Sequence, residues 1–166
     1  MRNLLSLFTN GEKKIFLFFF NQEKVKKSSV KKYLIDEYVN NHSKILFIIY
    51  DLKNNWIGHI GLSQINKKSA TLDNLIRGEK GGGKNIIFLS EKTLINWALN
   101  KLNTQSIIGK LRSDNYIMYH IHSKIGFRIS KKRHLFKTIK NNKIIHELSN
   151  IDQTNVDYQV VYIKYN

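Results

Sequence analysis

LDNLIRGEKGGGKN, residues 72–85, joins a strand-like run (Ala70 to Ile76) to a helix-like run that begins at Ile86. Its centre, RGEKGGGKN from 77 to 85, is a glycine-rich turn that opens a helix. Such a turn presents backbone N–H groups at the positive end of a helix dipole, where a phosphate or pyrophosphate is readily held. The expectation is a nucleotide-type ligand at this loop. A second stretch, SDNYIMYHIHSKIGF at 113–127, narrows which one.

Working outward, the pattern alternates between helical and extended periods. Residues 28–41 put Val30, Leu34, Tyr38 and Val39 at helical spacing, with Ser28 or Ser29 available as N-cap. The apolar run 44–51 ends at Lys53-Asn54-Asn55, and 56–65 resumes it, which predicts a hairpin. A third strand follows over 70–76. From Ile86 to Leu102 the residues Leu89, Thr93, Leu94, Trp97, Ala98 and Leu102 are read as one helical face, uninterrupted by proline. Next come a short strand at 106–111, a helix from Asp114 to about Lys124 stopped by Gly126, and strands at 127–140 and 157–165 separated by a polar, turn-rich segment. This order predicts an α/β (α+β) fold: one mixed, mostly antiparallel sheet of about six or seven strands, flanked by helices.

The chain has 166 residues, enough for one domain with a genuine core, so 1–166 is read as a single domain. Cys is absent, which excludes disulfides and thiolate metal sites and suits a reducing, cytoplasmic setting. The aromatic run Ile15 to Phe20 is too short to span a bilayer. The formal charge of +16 invites a nucleic-acid reading, yet Lys, Asn and Ile supply 65 of the 166 residues while Ala occurs twice. Those abundant residues have A- and T-rich codons, so the charge is open to a compositional as much as a functional origin, and the lysines are scattered with no Arg-rich stripe. Nucleic acid is therefore not expected as a partner. His120 and His122 lie two apart, pointing different ways on a helix, and no metal is expected.

Gly78, Gly83 and Lys84 satisfy the P-loop spacing, but Asn85 stands where a Ser or Thr hydroxyl would hold magnesium. The dinucleotide pattern G-x-G-x-x-G fails at Ile86. A plain surface turn remains open. A third alternative accounts for both stretches. GHIGL at 58–62, LDNLIRGEKGGGKN, and the spacing of Asn115, Ile121, Lys124, Ile125, Gly126 and Phe127 resemble the GNAT acetyltransferase superfamily, from about Ile57 to Phe127. Two departures are visible. Lys80 stands where the family's loop has its first glycine, and His122 stands where the family most often has Tyr.

The resemblance implies acetyl transfer from acetyl-CoA to an amine. Backbone N–H groups near Leu75 and Ile76 would polarise the thioester carbonyl, and the loop amides from Lys80 through Gly81, Gly82, Gly83 and Lys84 to Asn85 would hold the pyrophosphate, helped by the charges of Arg77, Lys80 or Lys84. Asn115 would contact the pantetheine arm or the acid. That acid is expected at His122, an imidazole being able to donate a proton near neutral pH, with Tyr119 one helical turn earlier as the alternative. Asp73 is the candidate base and His59 could share that role; a packed His122 and a hydrogen-bonded core His59 are the bland counterparts.

The same likeness suggests a small-molecule amine acceptor, with an amino sugar or nucleotide-linked amino sugar of surface-polysaccharide synthesis as first choice. A protein amine, another small amine, or a degenerate domain that binds CoA without catalysis are the alternatives. Assembly as a homodimer stays open.

Overall fold

The computed structural model describes residues 21–22, 27–141, 143–149 and 158–165. In chain order they form β1 (Asn21–Gln22), α1 (Lys27–Leu34) continuing as a π-helical turn (Ile35–Val39), β2 (Ile45–Tyr50), β3 (Trp56–Ser63), β4 (Ala70–Arg77), α2 (Ile86–Lys101), β5 (Ile107–Arg112), α3 (Tyr116–Ile125), β6 (Arg128–Lys140), β7 (Lys143–Leu148) and β8 (Tyr158–Tyr165). The aromatic run Ile15 to Phe20 lies outside the described residues. Among those residues, no helix is long and apolar enough to cross a membrane. The contacts gather into two compact units, one containing 25–107 and the other 108–165 together with 16–24.

In the first unit β2, β3 and β4 form an antiparallel meander. The predicted hairpin turn is closed by Asp51, whose carboxylate accepts from the amides of Lys53 (2.9 Å) and Asn55 (2.8 Å), while Asn54 takes the left-handed conformation. β3 is buried along nearly its whole length, which explains its small residues. A Cβ at Gly58 would lie 2.0 Å from the carbonyl oxygen of Ile76, so the two backbones pack there as only glycine permits. The core of this unit is Val30, Ile49, Ile57, Ile60, Leu62, Ala70, Ile76, Leu94, Ile95 and Ala98.

Two helical expectations need correction. The buried stripe of α2 is Glu91, Leu94, Ile95 and Ala98, whereas Leu89 and Thr93 face outward. The i, i+3, i+4, i+7 spacing from position 91 decides the face, and Trp97 packs at its border, edge-on to Phe47 with ring centroids 5.0 Å apart. The first helix begins at Lys27, which places Ser28 and Ser29 inside its first turn instead of at its cap, and its last residues widen into the π-turn.

In the second unit β6 is the organising strand. It pairs antiparallel with β8 from Arg128 to Leu135 and with β7 from Leu135 to Lys140, and β1 adds to β7. β5 lies beside β8. Eight strands are present among the described residues, more than expected, because KIIHEL at 143–148 pairs as β7 and the two-residue β1 extends that edge. The polarity of the segment hid an ordinary hairpin.

Candidate functional site

The glycine loop is built by its own backbone. The carbonyl of Ile57 accepts from the amides of both Gly78 (2.8 Å) and Glu79 (2.9 Å), which fixes where the chain leaves β4. The guanidinium of Arg77 then donates to the carbonyl of Gly81 at 2.7 Å, so Arg77 shapes the loop from within. Gly81, Gly82 and Gly83 all have positive φ, at 138°, 66° and 77°. This run turns the chain into α2, which starts without a side-chain cap from Asn85 and carries no acidic residue in its first turn. Among the described residues, the amides of Lys80 to Asn85 donate to no protein group. Unpaired N–H groups, an uncapped helix start and the exposed Lys80 and Lys84 have the polarity and charge that suit an anion of phosphate type.

One strand earlier, β4 carries a bulge. His59 pairs with Ile76 and Gly61 with Asp73, so Asn74 and Leu75 together oppose the single residue Ile60. Asn74 is left-handed, with φ 47°. His59 is 1% exposed and donates from Nδ1 to the Asn74 carbonyl at 2.7 Å. Burial pushes its pKa down to about 4, against a smaller upward pull from that hydrogen bond, so the imidazole is neutral at physiological pH. The ring is a buried group hydrogen-bonded to the neighbouring strand.

The bulge is held from its other end by groups that sequence reading passed over. The side-chain amide of Asn74 donates to the hydroxyl of Tyr33 at 2.7 Å and to that of Tyr38. Tyr38 in turn donates toward Asp73 Oδ2 at 3.5 Å, the outer limit of a hydrogen bond. Burial, and then the Asp73 charge, raise the Tyr38 pKa well above the phenol range, so the hydroxyl keeps its proton. Lys44 pairs with Glu37 nearby and lies 6.0 Å from the Tyr38 ring centroid. Asp73 thus sits in a half-buried patch of carboxylates and tyrosines.

In the second unit, Asn115 has a local duty: its side-chain oxygen caps α3 by accepting from the Met118 amide at 3.2 Å. Gly126, at φ 114°, ends the helix as expected. His122 is buried, with its ring 5.1 Å from that of Phe127. Tyr119 and His122 both line a cavity of about 300 Å³, with Ser123, Phe127, Arg128 and Ile129. Arg112, buried and unremarked in the sequence, grips Asp114 through Nε (3.1 Å) and Nη2 (2.6 Å) and so fixes the turn into α3.

A strand, a glycine loop and a long helix follow one another in the order that the resemblance implied, and the fold is that of the GNAT N-acetyltransferases. The chain is similar to the crystal structure of spermidine N-acetyltransferase from Vibrio cholerae in complex with CoA and spermine, with a TM-score of 0.73 at 17% identity, covering 99% of this chain and 90% of that one. A structure of the spermidine/spermine N-acetyltransferase SpeG from the same organism, in complex with manganese ions, gives a TM-score of 0.68 at 17% identity over 99% and 88% of the two chains. No family model matches the sequence, and no curated protein matches it. The likeness therefore rests on the path of the backbone.

Proposed function

We propose that the protein is an acetyl-CoA-dependent N-acetyltransferase acting on a small-molecule amine. The observation that carries this is the loop from Lys80 to Asn85, whose amides donate to no described group at the head of an uncapped helix. Those amides suit the pyrophosphate of CoA, and Lys80 and Lys84 add charge. Acetyl-CoA supplies an activated acetyl thioester. On the protein's side, the amides of Leu75 and Ile76 past the bulge are suited to polarise a carbonyl, and Asp73 to receive or orient the amine. Asn115, besides its cap, is proposed to contact the pantetheine arm or the acid. The proton that must reach the leaving sulfur is assigned to His122, with Tyr119 as the alternative.

The acceptor is revised. The structural neighbours are named for polyamines, which gives no support to an amino sugar of surface-polysaccharide synthesis. Asp73 beside Tyr33 and Tyr38 favours an amine that arrives as a cation, since a carboxylate and tyrosine faces both attract one, while Glu37 is already paired with Lys44. A polyamine is the chemical class proposed.

The test is calorimetric titration with acetyl-CoA beside magnesium ATP, followed by mass spectrometry of a panel holding polyamines and nucleotide-linked amino sugars. Binding of acetyl-CoA and acetylation of a polyamine is the expected result. Binding without acetylation of any amine would point to a non-catalytic CoA-binding domain, and ATP binding alone would overturn the proposal. Ionic strength offers a second discrimination. The chain carries a formal +16, so salt should raise kcat/KM for a polycationic acceptor and lower it for an anionic sugar nucleotide.

A further inference from the structure

We propose that Asn74 is a positioning residue for acyl transfer, setting the kink of β4 ahead of Leu75 and Ile76 and tying that kink to the tyrosines at the end of α1. The inference rests on the acetyltransferase function proposed above and assigns a role that its catalytic groups leave open.

Three observations meet at this residue. Its backbone is left-handed at φ 47°, in the position where two residues of β4 oppose one of β3. Its carbonyl is held by the buried ring of His59 at 2.7 Å. Its side-chain amide is held by the hydroxyls of Tyr33 and Tyr38, 41 and 36 residues earlier in the chain. A left-handed residue other than glycine is disfavoured, and it persists where its surroundings over-determine it. Here a strand neighbour grips the main chain and a separate helical segment grips the side chain, so the residue cannot relax toward extended pairing without releasing both.

The consequence is mechanical. The amides that follow the bulge must stand within a fraction of an ångström of their productive geometry if they are to polarise a carbonyl. Tyr38 also reaches Asp73, so the segment that touches the candidate base is the segment that braces the bulge. An acceptor that shifts Tyr33 or Tyr38 therefore acts on the aim of Leu75 and Ile76 as well.

The decisive variant is Asn74→Gly, which tolerates the left-handed backbone and removes only the amide. Its kcat should fall roughly ten- to a hundredfold, the cost of a small misplacement in a reacting geometry, while KM for acetyl-CoA stays unchanged. The pair Tyr33→Phe with Tyr38→Phe should reproduce the loss, and adding it to Asn74→Gly should cost nothing more, as expected for groups that act as one unit. In the ligand-free protein, amide exchange at Leu75 and Ile76 should speed up in both variants. Wild-type kcat in Asn74→Gly, a rise in the KM for acetyl-CoA matching any loss, or full additivity with the tyrosine changes would overturn the proposal. Should the wild-type protein neither bind nor use acetyl-CoA, the functional reading fails by itself, and the exchange measurement still decides whether Asn74 braces the strand.

Discussion

The glycine loop yields a prediction whose size can be worked out beforehand. Gly82 has φ 66°, and a Cβ built there would stand 2.8 Å from Cγ1 and 3.0 Å from Cδ1 of Ile86, the first residue of α2. Asn and Asp are nearly equal in size and both tolerate the left-handed region, so Gly82→Asn and Gly82→Asp share the same backbone and steric burden. They differ by one negative charge at the loop. For a carboxylate about 5 Å from a phosphate charge, Coulomb's law gives about 1 kcal/mol in water and about 3 kcal/mol at the effective dielectric of a protein surface.

Acetyl-CoA should therefore bind the Asp variant roughly five- to a hundredfold more weakly than the Asn variant, by calorimetry at low salt, with melting temperatures that agree. Gly83→Ala is the control. It carries a similar left-handed φ of 77°, but its Cβ would meet nothing within 4 Å. It should lose about 1 kcal/mol of stability and leave the affinity near that of the wild type. Equal affinities for the Asn and Asp variants would refute the assignment of phosphates to this loop, whatever the activity of either.

Three further outcomes are expected. In Gly58→Ala the new Cβ would collide with the backbone of Ile76 and Arg77, at 2.0, 3.0 and 3.1 Å, and the β3–β4 ladder must part; a loss on the order of 3 kcal/mol should appear as a lowered urea midpoint, and an unchanged midpoint would contradict the packing. His59 titrates near 4 when folded and near 6.5 otherwise, so the unfolded chain takes up its proton first as pH falls. Its share of stability is complete above about pH 6.5 and fades toward pH 4, by about 3 kcal/mol in all, and His59→Gln should flatten that slope in denaturation curves taken across the window. His122→Phe keeps a ring beside Phe127 and removes the proton donor, so kcat should drop about a hundredfold with acetyl-CoA affinity retained; equal turnover would leave His122 a packing residue and pass the acid to Tyr119.

What the sequence disclosed was local chemistry. The loop and its helix were legible because glycine, lysine and a missing cap act within ten residues, and α3 because Asn115 and Gly126 mark its two ends with conformations few other residues accept. The bulge was not legible. It arises from a single extra residue in the pairing of β4 with β3, and Asn74 in isolation is one of many asparagines in an asparagine-rich chain. The stripe of α2 is ambiguous in the sequence because Leu89 and Thr93 offer a second face of similar spacing, and only the sheet beneath decides between them.

The same distinction explains why the fold emerged more clearly than the acceptor. A phosphate is recognised by backbone donors at one turn, so a contiguous motif can announce it. The proposed acceptor patch gathers groups from far apart: Tyr33 and Tyr38 on one segment, Asp73 and Asn74 on another, linked across 35 to 41 residues. In the second half of α2, Trp97 packs against Phe47 and Ala98 is buried in the core of its unit. Both are occupied in holding the helix to the sheet. The proposed acceptor site is of this second kind: polar side chains from distant segments meet around a carboxylate at Asp73 and its two tyrosines.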